Sequence, residues 1–464
     1  MVGGTASHVG KSWMTTAICR SLVRQGYKVA PFKAQNMSNN SYPCASGGEI
    51  GRAQVAQAQA CKLEPEPDMN PILLKPNSDC GSQVVLNGKV WKNLSARAYY
   101  EHFPILLEHV LAAYARLEQS YDFIVAEGAG SIAELNLRGT DLVNLGLATR
   151  LQIPVLLVAD IDRGGVFAAV AGTFSLLDEE ERKLVRGFAV NRFRGDPTLF
   201  AGGVDILEEK TKKPCLGVFP HLYSATLDAE DALSIESDVN SRRESPVAIV
   251  RLPHVSNVTD FRLLPDACWI SRPVGGVFDC VIIPGTKNTI DDLLWMHRTG
   301  LSQWILDQHA KGAHVIGICG GYQMLGERIE DPFAMETTAG GADGLNLIAS
   351  RTVLSRDKTT RVVRAATLSG HRFEAYEIHM GQTTRPVGAS AFASLEDGTE
   401  EGVRTRSCSG TYLHGALEDP VVLSELLGRP AAALPDRDHV YEELADWFEA
   451  NVHRKRFEEL YLCP

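Results

Sequence analysis

The sequence predicts an α/β protein of two domains, each built on a parallel sheet, and three observations carry that prediction. In both halves short apolar runs end in polar or glycine-rich clusters and lead into amphipathic stretches, the alternation of parallel sheets covered by helices. A polar stretch at 234–246 (SIESDVNSRRESP) separates the two alternations. Each half also contains one glycine-bounded turn between a strand and a helix: MVGGTASHVGKS at 1–12 and HVIGICGGYQMLG at 314–326. The expected boundaries are a first domain over 1–237, a linker over 238–246, and a second domain over 247–464 that includes C-terminal helices.

A length of 464 residues is too great for one ordinary core, which agrees with two domains. A net charge of −11 argues against a nucleic acid or an anionic membrane as main partner. No apolar run approaches the roughly 18 residues of a membrane span, and no signal peptide is recognisable in the first residues. The ten cysteines are scattered without a C-x-x-C pair, so neither a zinc site nor any disulfide is expected. The expected setting is a reducing cytoplasm and the expected partners are small molecules. The sequence leaves the oligomeric state open.

Taken in order, the first turn resembles a phosphate-binding loop: Gly10, Lys11 and Ser12 open a helical pattern. In such a loop backbone N–H groups and a lysine cradle phosphates, while the serine holds Mg²⁺. The standard spacing would need glycine at Thr5; here the glycine is Gly4, which lengthens the loop by one residue. Only Met1 and Val2 precede the glycines, so either the first strand is very short or the true start lies upstream.

Residues 27–32 (YKVAPF) form the next expected strand, followed by an amide- and hydroxyl-rich run, KAQNMSNNS, at 33–41. Residues 50–61 are expected to be helical. Residues 69–76 (MNPILLKP), with two prolines and Lys75, read as a rigid loop. Residues 94–117 read as one or two amphipathic helices. Further strands at 123–126, 154–159, 185–190 and 215–219 each end in a polar cluster. Such strand ends are where open α/β sheets place ligands. Glu127 and Asp162 stand there and are candidate contacts for Mg²⁺ or substrate, because Mg²⁺ takes one or two carboxylates besides phosphate oxygens.

In the second half, strands are expected at 247–252, 278–283 and 314–318, with strands of a mixed sheet at 373–380 and 410–415. Residues 439–461 are expected to be helical and to pack on the second domain. Gly317, Cys319 and Gly321 form a G-x-C-x-G turn, the cysteine counterpart of a nucleophile elbow. Flanking glycines let the backbone bend and a substrate approach. The following helix N-terminus favours the thiolate. Cys319 is therefore the candidate nucleophile.

With GICGGYQMLG, IIPGTKNTIDDL and GTYLHG together, the second half resembles a class I (Triad-type) glutamine amidotransferase. The first half, with its lengthened loop, is similar to the dethiobiotin synthetase-like branch of P-loop proteins. Its runs PFKAQNMSNNS, EIGRAQVAQAQA, VAEGAGS, LVADIDRGGVFA and NRFRGD, with YEIHMG from the second half, resemble the cobalamin-pathway amidotransferases. Within them the pattern is closer to the branch that makes cobyric acid than to the a,c-diamide synthases, which typically carry a G-P-D-Y-type run in place of KAQNMSNNS.

The resemblance implies an ATP- and Mg²⁺-dependent enzyme that phosphorylates a carboxylate and amidates it with ammonia from glutamine. It implies that Gly4, Thr5, Gly10, Lys11 and Ser12 bind ATP, with Ser12 and Glu127 holding Mg²⁺. Lys33, Asp141 and Asp162 are implied near the acyl phosphate, and Lys75 near substrate carboxylate or phosphate. Cys319 would attack the glutamine amide, His414 would move the proton, and Gly320 with the Gly285–Thr286 turn would form the oxyanion hole. Most of the wider class carries a glutamate two residues after the histidine. Here that residue is Ala416, so a Cys–His dyad without an orienting acid is expected, with Glu418 only a nearby alternative. His379 is read as structural or pocket-lining.

Overall fold

The strand that feeds the phosphate-type loop is only Val2–Gly4, yet it lies inside a parallel sheet. In the computed structural model, which describes residues 1–78, 81–223, 245–336, 340–431 and 436–463, Val2–Gly4 pairs in parallel with Val155–Asp160. Val185–Phe193 and Cys215–Pro220 continue the sheet on that side. On the other side a Val2–Glu127 bridge joins the parallel pair Val29–Phe32 and Phe123–Ala126. Nearly every residue of Val155–Asp160 is buried, as expected for a strand covered on both faces.

The expected rigid loop at 69–76 is corrected by the structure: Ile72–Ser78 is a strand, hydrogen-bonded to Gly81–Leu86. Proline is tolerated because Gln35–Met37 on the other side pairs only with residues 72–74. Pro76 therefore lies beyond that pairing, where no ladder needs its missing N–H. The expected helices at 94–117 are Ala96–Glu101 and Phe103–Glu118.

The second half has a parallel sheet in the order Cys268–Ile270, Val247–Val250, Cys280–Ile283, His314–Ile318 and Cys408–Thr411. Val403–Arg404 adds an antiparallel edge. A second sheet is built around the long hairpin of Arg351–Thr367 and Arg372–Thr383, tied to the first by a Tyr376–His414 bridge.

One expectation about packing fails. The C-terminal helix Arg437–Asn451 packs on the first half, with Val440, Leu444, Trp447 and Phe448 in one core with Met14, Ile18 and Leu22 of Lys11–Arg24. The reason is visible in Arg20, which is wholly buried and paired with Asp438 at 2.5 Å and Glu442 at 2.8 Å. A buried guanidinium without such partners would be strongly destabilising. Phe219 completes the contact by stacking on Phe448. The linker expected at 238–246 lies, up to residue 244, outside the described residues. The two halves meet elsewhere: the Ser41 N–H donates to Asn257 Oδ1 at 3.1 Å, and Lys358 pairs with the buried Glu49.

Candidate active site

At the first turn, Gly10 has φ +98°, a conformation that side chains rarely adopt, and a Cβ there would lie 2.1 Å from Asn191 Nδ2. Asn191 instead donates to Val9 O at 2.9 Å and fixes the loop. Lys11 Nζ donates to Ala6 O at 3.0 Å and to Gly130 O at 2.9 Å, so it bridges the loop and the turn after Phe123–Ala126. The Ser12 hydroxyl donates to Glu127 Oε1 at 3.0 Å, and Lys33 Nζ lies 2.9 Å from the same oxygen. Gln57 donates to the other Glu127 oxygen. Gly10, Lys11, Ser12 and Lys33 border a cleft of about 460 Å³ that also takes in Ser7, His8 and Arg192, with Glu127 buried behind Ser12 and Lys33.

Two predicted loop residues serve the frame of the cleft. Thr5 spends its N–H on Val158 O at 3.0 Å. Gly4 is hemmed in, since a Cβ would meet Val9 Cγ2 at 2.9 Å. The acids divide in the same way. Asp141 accepts from the N–H groups of Val143, Asn144 and Gly146, which makes it a backbone anchor. Asp162 is exposed and paired with Arg194, whose hydrogen bond holds its carboxyl below its ordinary range. Lys75 lies away from this cleft and sits instead at the seam between the halves, 2.9 Å from Glu49.

At the second turn, the backbone strain falls on the candidate nucleophile itself. Cys319 has φ +51° and ψ −109°. The neighbouring glycines are required by close approach: a Cβ on Gly321 would lie 2.0 Å from Ile283 O, and one on Gly317 2.5 Å from Gly321 O. Gly320 faces Thr286, whose backbone N would be 3.2 Å from a Gly320 Cβ. Gly285 packs against the His414 ring, with Cε1 2.9 Å from where a Cβ would stand. Thus Cys319, His414, Gly285, Thr286 and Gly320 converge.

The expected dyad is corrected. His414 Nδ1 lies 2.7 Å from Asp260 Oδ2, and the Gly415 N–H donates to Asp260 Oδ1 at 2.6 Å. Asp260 comes from the short turn Val258–Phe261, far away in sequence. Burial opposes charge on His414, but the Asp260 carboxylate, its hydrogen bond and the Cys319 thiol together raise the imidazole to about 10. Glu418 faces Arg437, Arg262 and Arg52 instead. His379 stacks on Tyr412 at 3.8 Å and holds Gly381 O with Nδ1, a pocket-lining position.

Cys319 borders a small cavity of about 50 Å³ whose walls come from both halves: Lys287, Gln323 and His379 from the second, Asn39 and Lys75 from the first. The thiol therefore faces a space that residues of the first half help to close.

Comparison with known proteins agrees with this geometry. Residues 246–421 match the family described as a CobB/CobQ-like glutamine amidotransferase domain, and residues 1–231 the CobQ/CobB/MinD/ParA nucleotide binding domain. A cobyric acid synthase of Dehalococcoides mccartyi (strain CBDB1) is 41% identical over 490 aligned residues, covering 98% of this chain and 97% of the relative. The chain belongs to the cobyric acid synthase family. A probable cobyric acid synthase of Methanoregula boonei is 48% identical over 439 residues, with 92% of this chain and 90% of the relative covered. As a member of the cobyric acid synthase family, the chain is a glutamine-dependent amidotransferase with a nucleotide-binding half. Among the described residues, no helix is long and apolar enough to cross a membrane.

Sequence reasoning about this cobyric acid synthase family member missed Asp260, Gln57 and Glu49. Asp260 had one signal: it follows a strand end, where ligand-side acids collect.

Proposed function

We propose that the chain amidates the b, d, e and g carboxylates of adenosylcobyrinic acid a,c-diamide, using ATP, Mg²⁺ and ammonia from glutamine, to give adenosylcobyric acid. The observation that carries this reading is the shared cavity, in which Cys319 and residues of the nucleotide-binding half line one space.

In the first half, a substrate carboxylate attacks the γ-phosphorus of ATP, ADP leaves, and an acyl phosphate forms. Lys11 and the loop N–H groups hold the phosphates, and Lys33 offsets their charge. The oxygen donors Ser12 and Glu127, 3.0 Å apart, suit a hard divalent cation. Bound there, Mg²⁺ would neutralise phosphate charge.

In the second half, Asp260 favours the charged form of His414, and an imidazolium beside Cys319 favours attack by its thiolate. The thiolate of Cys319 adds to the glutamine amide carbon, and the N–H groups of Gly320 and the Gly285–Thr286 turn receive the oxyanion. The imidazolium gives its proton to the departing ammonia, leaving a thioester. The neutral ring then takes a proton from the water that releases glutamate. Ammonia attacks the acyl phosphate and inorganic phosphate leaves. Asp260 keeps His414 oriented and stabilises its charged form.

The test is chromatography of products formed with ATP and glutamine from the undiamidated acid and, separately, from the a,c-diamide. Stepwise amidation of the a,c-diamide is expected. Turnover of the undiamidated acid alone would make the chain an a,c-diamide synthase.

A further inference from the structure

Next to the phosphate cleft is a second cavity, of about 300 Å³, that the chemistry above does not use. The two are continuous: Gln35, Ala129 and Gly130 line both. Gly130 O is also the acceptor of Lys11 Nζ, so the second cavity begins where the phosphate-holding lysine ends. Its floor is apolar, made by the buried Ile132, Leu142 and Leu145. Its rim is apolar too. Leu135 and Leu137, on the short turn Leu135–Thr140, are 46% and 37% exposed, and Tyr100 across from them is 42% exposed.

A single exposed leucine needs no explanation. Three large apolar side chains around one cavity beside a reaction cleft are different, because an open apolar patch there is costly unless something covers it. Several polar groups of the lining are committed to protein partners: Asp141 accepts from backbone N–H groups, and Asn144 donates to Ala129 O and Ser131 O. Of the charged groups at the rim, Glu134 is exposed, and Arg138 is already oriented by Glu181 at 2.6 Å and Leu176 O at 3.1 Å.

We propose that this shelf, formed by Tyr100, Leu135, Leu137 and the 129–134 turn, binds the apolar edge of the corrin macrocycle, with Arg138 receiving a peripheral carboxylate. The assignment rests on the function proposed above. A substrate whose carboxylate must reach the γ-phosphate has to extend from the phosphate cleft into adjoining space, and this cavity is that space. A macrocycle is larger than 300 Å³, so only one edge enters and the others stay in water. Apolar contact is non-directional, so the same shelf accepts successive edges of the ring. That is what amidating several chemically similar carboxylates at one acyl-phosphate site requires. A pocket of fixed hydrogen bonds would select one edge and reject the rest.

The experiment compares wild type with Leu137→Asp and Leu137→Met, using the full chain and the a,c-diamide as variable substrate with ammonia as nitrogen source. Leu137 is at the surface, so both variants are expected to fold. Leu137→Asp is expected to raise the corrinoid KM by about tenfold or more, with ATP affinity and glutaminase turnover unchanged. Leu137→Met is expected to stay near wild type. An unchanged corrinoid KM in Leu137→Asp would overturn the shelf while leaving the proposed reaction intact. Absence of a,c-diamide turnover by wild type would overturn both. A fall in ATP affinity or glutaminase turnover equal to the loss of corrinoid binding would also overturn it, because the substitution would then have damaged the fold.

Discussion

At both candidate turns a parallel strand leads into a helix, through the loop 5–10 at the first and through Cys319 alone at the second, and the unusual backbone angles fall on different positions. In the phosphate-type loop they fall on His8, at φ +59°, and Gly10, at φ +98°, and the candidate phosphate-binding Lys11 and Ser12 follow in ordinary helical geometry. At the second turn the unusual angle falls on Cys319 itself, at φ +51°. The difference follows from the chemistry. Phosphate binding uses many N–H groups and a flexible lysine, so no single side chain has to stand at the apex. A nucleophile must stand there, so the glycines move to its flanks, where Ile283 O and Gly321 O leave no room for a Cβ. The electrostatics differ similarly. The first site gathers Lys33, the Ser12 hydroxyl and the Gln57 amide around one buried carboxylate, Glu127, while the second sets one histidine between one thiol and one acid.

The sharpest way to test this contrast is to remove the central residue of each turn. Cys319→Ala is expected to lower glutamine-dependent amidation by about 10⁴-fold while ammonia-supported amidation persists. Lys11→Ala is expected to lower amidation from both nitrogen sources by about 10²–10³-fold. Parallel assays with glutamine and with ammonium salts read both outcomes. Loss of ammonia-supported activity in Cys319→Ala would show that the two turns do not have separate duties.

A smaller effect is expected from Asp260→Asn. The variant keeps a group that can face His414 but loses the negative charge that opposes burial. Glutaminase turnover should fall by about 10²-fold. The pH profile should change as well. In the native protein His414 is raised to about 10, so the imidazolium survives through neutral pH and is lost as pH rises toward that value. Without the carboxylate the imidazole loses its proton at lower pH, and the alkaline limb should move down. A pH–rate profile that falls uniformly, without moving that limb, would show Asp260 to be only a structural support.

How much of this was legible follows from what kind of contact each residue makes. Cys319, Lys11 and Ser12 were readable because their chemistry depends on glycines a few positions away. Asp260 was not, because its partner lies 154 residues along the chain and no local spacing records the contact. The C-terminal helix shows the same limit. Its helical character at 439–461 could be read locally, but the choice of partner depended on Arg20, buried in a different helix and needing acids. Pro71 and Pro76 suggested a loop because the sequence does not reveal where a neighbouring strand stops pairing. Glu49 lies in the glycine-rich GGEIG, and no local pattern there records that Lys358 of the second half closes over it.

Glu49 also gives the least disruptive way to probe how the two turns are joined. It is wholly buried, takes the Ser41 hydroxyl at 2.8 Å and Lys75 at 2.9 Å, and receives Lys358 from the other half. Burial alone would raise its carboxyl; Lys358 and Lys75 reverse that and hold it well below the usual carboxylate range. Lys75 and Lys358 also line the cavity beside Cys319, so this ion cluster closes the seam at the place where the two halves share a wall. In Lys358→Met, Glu49 keeps Lys75 and Ser41, so the buried charge is not abandoned and the fold should persist. What is lost is the one cation of the cluster that reaches across. Ammonia-supported amidation should stay near wild type, while glutamate should exceed amide severalfold as ammonia escapes at the loosened seam. The two products are measured in the same reaction, so the ratio is independent of enzyme concentration. A ratio that stays at the wild-type value would mean that the seam is held by the Ser41–Asn257 and Arg52–Glu418 contacts instead.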